Sequence, residues 1–173
     1  YMALVPEKIK FQYVTGEIHH VFGRAYPLQV LLGPRDEAGI SSGGELQLVL
    51  RTKQREREKV FKAGMKHLLL GEIEKQLEIW TKRMAIPESR ITGVTIRVMK
   101  SRWGSCRRVT GRFSFALDLA TKPKECIEAV VVHELCHLFA AGHGPDFYAR
   151  METYLPDYKE RNRLLASLPR ELV

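Results

Sequence analysis

The chain has 173 residues, 45% of them hydrophobic and 28% charged, with a formal net charge of +8. That length fits one domain with a sizeable core, and the mixture is that of a soluble globular protein: no apolar run approaches the ~20 residues of a membrane-spanning helix. Three cysteines, Cys106, Cys126 and Cys136, are odd in number and scattered, which argues against a disulfide framework and for a reducing cytoplasm.

The opening "YMALVPEKIKF" lacks a basic segment followed by a long apolar run, so no secretory signal is expected, and Met2 reads as the natural start. Residues 8–50 alternate short strand-like runs with turn residues: "KIKFQYVTG", "EIHHVFGRAYPLQVLLGP", "GISSGG" and "ELQLVLR". His19 and His20 fall in this β-rich region, where a structural or exposed role is expected of them.

After Arg51 the period changes. Phe61, Met65, Leu68, Leu69, Ile73, Leu77, Trp80 and Met84 recur at helical spacing, which predicts one long amphipathic helix within 51–86, ending near Ile86-Pro87. Its leading "TKQREREK" reads as a solvated face with internal salt pairs. Two strand-like pieces, 94–100 and 112–119, follow as an expected antiparallel pair. "TKPKE" then opens a second helix, predicted over 123–141, with Gly142 as its left-handed C-terminal residue. Gly144-Pro145 starts another helix, and "YKERNRLLASLPRELV" a terminal one.

The second helix carries the chemistry. In "VVHELCHLFAAGHGPDFY", His133 and His137 stand four residues apart on one helix face, so both imidazoles can reach one ion at ~2.0–2.1 Å. Glu134 is rotated by about 100° from His133, where it can approach a water at the ion without being a ligand. Zinc lowers the pKa of such a water from 15.7 to about 7, within reach of a carboxylate base. A tetrahedral catalytic site wants a third protein ligand. His143, just past the helix stop, is the candidate, with Glu152 as its rival. Cys136 points away from His137 and reads as core, and Cys126 lies almost two turns from His133.

On these residues the sequence resembles the YgjP-like metallopeptidase domain family, grouped with SprT-like and other small zincins. The likeness rests on "RWGSC" at 102–106, the strand "RFSFALDL", "VVHELCHL" on its proline-started helix, and "HGPDFY" from His143. It implies an α+β, zincin-like fold in which an antiparallel-rich sheet packs with the long helix and the His-Glu-x-x-His helix. It implies one zinc ion on His133, His137 and His143, with Glu134 as general base. A metzincin pattern is disfavoured, because its midway glycine is here Ala140.

Within "SRWGSC", Trp103 and Cys106 read as core and Gly104 as a site of close approach. Arg102 stands evenly between structural use and holding an anionic or developing oxyanionic group. The whole chain, 1–173, is thus expected to form one domain with its zincin-like core at 94–158. A cytoplasmic zinc hydrolase acting on peptides is favoured. A nucleoside triphosphate pyrophosphatase on the same site, and a nucleic-acid-associated module with structural zinc, are the alternatives. The basic residues are spread along the sequence, so a solvated basic surface is preferred to a nucleic-acid site, and no membrane contact is expected.

Overall fold

Leu46, Leu48 and Leu50 are buried while Gln47 and Val49 between them are less so, the period of two that gives a strand one covered face. This strand, β4 (Leu46–Leu50), belongs to a four-stranded sheet with β1 (Ile18–Val21), β2 (Arg24–Leu32) and β3 (Glu37–Ile40), in the order β1-β2-β4-β3. β1 and β2 form a hairpin whose turn residues, Phe22 and Gly23, both have positive φ, at 50° and 82°. β2 runs parallel to β4, and β3 antiparallel to it.

The computed structural model describes residues 9–53 and 55–172, so the N-terminal signal reading and the start at Met2 fall outside the described residues. The strand expected over "KIKFQYVTG" is irregular through 9–16. The Glu17 carboxylate accepts the amides of Gln12 and Tyr13, at 2.8 and 3.0 Å, and thereby takes donors that a strand ladder needs.

The long helix, α1 (Arg57–Arg83), buries Phe61, Met65, Leu69, Ile73, Leu77 and Trp80 along one stripe. Gly64 lies against the backbone of Ala38 with no room for a Cβ between them, which lets the helix pack tightly over β3. The helix closes where expected: Ala85 turns to φ 52°, and the Ile86 amide donates back to the Thr81 carbonyl at 2.8 Å.

A second sheet holds β5 (Gly93–Arg97), β6 (Gly104–Arg107) and β7 (Arg112–Ala116), in the order β5-β7-β6. Here the expected antiparallel pair is corrected. β5 runs parallel to β7, and the antiparallel partner of β7 is β6, the "GSCR" segment. A tight turn ending at Gly111, φ 73°, joins β6 to β7 as a hairpin, which leaves β5 only the far edge of β7. Among the described residues three of the five strand pairings are antiparallel, across two small sheets in an α+β frame.

Three helices complete the described residues: α2 (Lys124–Cys136), α3 (Pro145–Tyr154) and α4 (Tyr158–Ser167). Pro145 opens α3 after Gly144, as expected. α2 buries nine of its thirteen residues and is held in place from two sides. Glu128 accepts from Trp80 of α1 at 3.0 Å and from Arg161 of α4 at 2.7 Å. One hydrophobic cluster runs through both sheets, α1 and α2. Behind it, the buried Asp118 accepts the amides of Glu171 and Leu172, both at 2.7 Å, and pairs with buried Lys122 at 3.2 Å. No helix among the described residues is long and apolar enough to cross a membrane.

Candidate metal centre

α2 ends earlier than its apolar run suggests. Its last regular residue is Cys136 and His137 is the C-cap, whereas the sequence pattern extends to 141. The amides of His137, Leu138 and Phe139 donate to carbonyls three residues back, so the helix tightens and stops by itself. Gly142 does not take the left-handed conformation expected of it; the stop is made one turn before it. His137 helps to make that stop, since its Nδ1 lies 3.0 Å from the Ala140 carbonyl. Donation from Nδ1–H fixes the tautomer and leaves the Nε2 lone pair facing outward.

The chain then doubles back and brings His143 over the helix end. The three Nε2 atoms form a nearly equilateral triangle: His133 to His137 3.3 Å, His137 to His143 3.1 Å, and His143 to His133 3.2 Å. A tetrahedral ion with nitrogen ligands at ~2.0–2.1 Å has ligands about 3.3–3.4 Å apart, so the triangle has the size of one face of such a site. Burial pushes the His133 imidazole down to about 4, and His137 is also lowered by burial. Both are therefore neutral near pH 7, the form that coordinates a metal. Three lone pairs aimed at one point repel unless a cation sits there, so the donor set fits a divalent ion.

All three imidazoles rest on one ring. Phe147 is buried, with centroid distances of 4.8 Å to His133, 4.6 Å to His137 and 5.0 Å to His143. In the sequence Phe147 stands out only as part of "HGPDFY". Its place four residues after His143, at the start of a helix returning over α2, is the one signal that hints at the further role.

Beside the triangle opens a cleft of about 580 Å³ lined by His133, Glu134, His137 and His143, with β6 along one wall. Glu134 is 6% exposed, and burial pushes its carboxyl up to about 7 while Arg102 pulls it back. Gly104 is the close approach that the sequence suggested. A Cβ there would lie 3.1 Å from Glu134 Cγ and 3.1 Å from Val130 Cγ1, so the absent side chain is what seats the carboxylate against β6.

Arg102 reaches this cleft and is exposed there. Arg108, Ser105 and Asn162, which sequence reasoning did not single out, also line it. Arg108 Nε donates to the Leu138 carbonyl at 3.4 Å, beyond the end of α2. Glu152 is exposed on α3 and does not join the histidines. Cys136 is fully buried with its thiol pushed up to about 12, and Cys126 is buried against the Arg161 carbonyl. Cys106 is partly buried: it packs against the hydrophobic cluster, as expected, and also lines the cleft. His19 and His20 lie away from the centre, bonded to Glu17 and Glu171.

Three converging imidazoles and a buried carboxylate in one cleft of an α+β frame define a candidate metallohydrolase. The chain belongs to the YgjP-like metallopeptidase domain family, whose model matches residues 2–168. That membership makes a metal-dependent hydrolase its class. Among solved structures, the zymogen of the metallopeptidase abylysin from Pyrococcus abyssi is 23% identical, over 58% of this chain and 99% of that one, with a TM-score of 0.49. No curated protein matches the chain.

Proposed function

We propose that the protein is a zinc-dependent peptidase in which His133, His137 and His143 hold one zinc ion and Glu134 is the general base. The observation that carries this reading is the triangle of Nε2 atoms, 3.1–3.3 Å on each side, opening on the cleft that Glu134 lines. Zinc held there supplies a Lewis acid that polarises a carbonyl oxygen and makes water acidic enough to lose a proton near neutral pH. The Glu134 carboxylate accepts that proton and returns it to the leaving nitrogen. Gly104 lets the stem of the side chain lie close against β6, which orients the carboxylate towards the cleft.

Peptide is preferred as substrate because of β6. It is the outer strand of its sheet, its second edge pairs with no strand among the described residues, and Gly104, Ser105 and Cys106 line the cleft. An extended peptide laid along that edge gains main-chain hydrogen bonds next to the histidines. The second reading, hydrolysis of a nucleoside triphosphate phosphoanhydride, is favoured by Arg102 and Arg108 in the same cleft. Free cysteines and a single continuous core support a cytoplasmic, one-domain protein.

The test is zinc analysis of the purified protein together with parallel assays on a peptide library and on nucleoside triphosphates, comparing wild type with Glu134→Gln. Peptide cleavage by the zinc-loaded protein, lost in the variant, is the expected result. Triphosphate cleavage alone would select the second reading. Bound zinc with no hydrolysis of either substrate, and unfolding when the zinc is removed, would make the metal structural.

A further inference from the structure

Between Arg97 and Arg112 the sequence contains Arg97, Lys100, Arg102, Arg107, Arg108 and Arg112, and no Asp or Glu. The fold gathers part of this run onto one surface. On the three-stranded sheet, Val94, Ile96, Phe113 and Phe115 turn towards the hydrophobic cluster, so the alternate residues of β5 and β7 face outward. The register sets three hydroxyls in a row across that face: Thr95 opposite Ser114, and Ser114 opposite Ser105. On one side of this row Arg112 stands directly opposite Arg107, and on the other side lies Arg97. All three arginines are exposed, and they line a shallow depression of about 210 Å³ with no carboxylate in its wall.

Like charges directly opposite on neighbouring strands repel, and no ion pair relieves any of the three arginines among the described residues. Gly93, across from Arg112, leaves the surface beside it open. Guanidinium forks and hydroxyl donors together are the set that receives phosphate oxygens. Phe113 borders the depression but is 1% exposed and turned to the core, so no aromatic face is offered for stacking on unpaired bases. Arg97 and Arg112 sit four register positions apart, ~13 Å along the strands. That is a span for a run of backbone phosphates rather than for one phosphate group.

We propose that the outer face of the β5-β7-β6 sheet binds the phosphate backbone of duplex nucleic acid, without reading sequence, through Arg97, Arg107 and Arg112 and the hydroxyl row of Thr95, Ser114 and Ser105. Ser105 lines both this depression and the metal-centre cleft, so the two sites meet across β6. The proposal does not depend on the peptidase reading, because the three arginines lie outside the cleft.

The experiment measures fluorescence anisotropy of a short duplex DNA of mixed sequence, titrated with the full chain over a range of salt concentrations. Wild type binds, and the salt slope of log K is smaller by about 3 in the Arg97→Gln/Arg107→Gln/Arg112→Gln variant, roughly one per lost phosphate contact. Replacing the same three arginines by lysine keeps most of the slope, and Glu134→Gln binds as wild type does. A thermal melt confirms that the variants are folded; if the glutamine variant is not, the contrast between Arg97→Gln alone and Arg97→Lys alone decides. Absence of DNA binding by wild type, or an unchanged slope in a folded glutamine variant, overturns the proposal. Equal displacement of the DNA by polyglutamate also overturns it, in favour of an acidic peptide. None of these readouts needs hydrolysis, so loss of the peptidase reading would leave the result intact.

Discussion

Two histidine environments sit in the two halves of this molecule, one buried in the core and one open to a cleft with His143 exposed, and they solve the same problem in opposite ways. His19, on β1, is 2% exposed, its Nε2 lies 2.6 Å from Glu17 Oε1, and its ring is packed among Phe11, Tyr13 and Phe61. Glu17 in turn holds two backbone amides, so the polar atoms there are satisfied from within the chain. His133, His137 and His143 have an aromatic floor too, but their Nε2 atoms face only one another. Apolar surroundings therefore do not separate a core histidine from a member of a converging donor set. What separates them is whether the remaining nitrogen has a partner the protein supplies.

The largest effect expected on the metal-centre side is chemical. Glu134→Gln keeps the shape of the side chain and the three histidines but removes the proposed base, so kcat is expected to fall by about 10²–10⁴-fold while bound zinc stays near one ion per chain. Metal analysis and turnover measured on the same preparation check this. His143→Ala acts one step earlier: the stoichiometric ion is lost, and with it the rise in Tm that added zinc gives the wild type. That rise corresponds to about 2.7 kcal/mol when free zinc is 100 times its Kd. His19→Leu is the matched control, and it should leave zinc content and the zinc-dependent rise in Tm unchanged.

Gly104→Ala probes the wall rather than the ligands. The added methyl meets Glu134 Cγ and Val130 Cγ1 at 3.1 Å, so the carboxylate must shift by a few tenths of an ångström. Turnover should fall by about tenfold or more with zinc retained, since small misplacements of a catalytic group are costly. An unchanged kcat would mean that Val130 gives way instead and that the close approach serves packing alone.

How far each feature was legible follows from its range along the chain. The pair His133 and His137 and the adjacent Glu134 are a local pattern on one helix, and α1 is equally local, so both could be read from spacing. His143 was singled out as third ligand on a picture only partly met, since the helix ends at Cys136 rather than at a left-handed Gly142. β6 has one glycine, one serine, one cysteine and one arginine, with no alternation of its own, and it is a strand because β7 pairs with it. The parallel placement of β5, the floor formed by Phe147 and the meeting of Arg97 with Arg107 and Arg112 are all set by register and packing between distant segments. A pattern along the sequence carries no record of these.

The smallest expected effect comes from the scaffold side and is thermodynamic. Burial holds the His19 imidazole below its ordinary value of 6.5, against the opposing pull of Glu17. On acidification through that value the unfolded chain takes up a proton before the folded chain does, so the stability this site contributes is present above pH 6.5 and erodes as the pH falls towards the depressed folded value. The slope from one such group is at most about 1.4 kcal/mol per pH unit. His19→Leu removes the titrating group together with its bond to Glu17, so at neutral pH the variant is less stable by roughly 1–3 kcal/mol. Below pH 6.5 it loses stability less steeply than the wild type. Urea unfolding at several pH values, with both proteins in the same metal state, measures the two slopes. Parallel slopes would mean that the Glu17 bond offsets burial and leaves His19 no harder to protonate in the folded chain than in the unfolded one, so the contrast between the two histidine environments would lie in partnership alone.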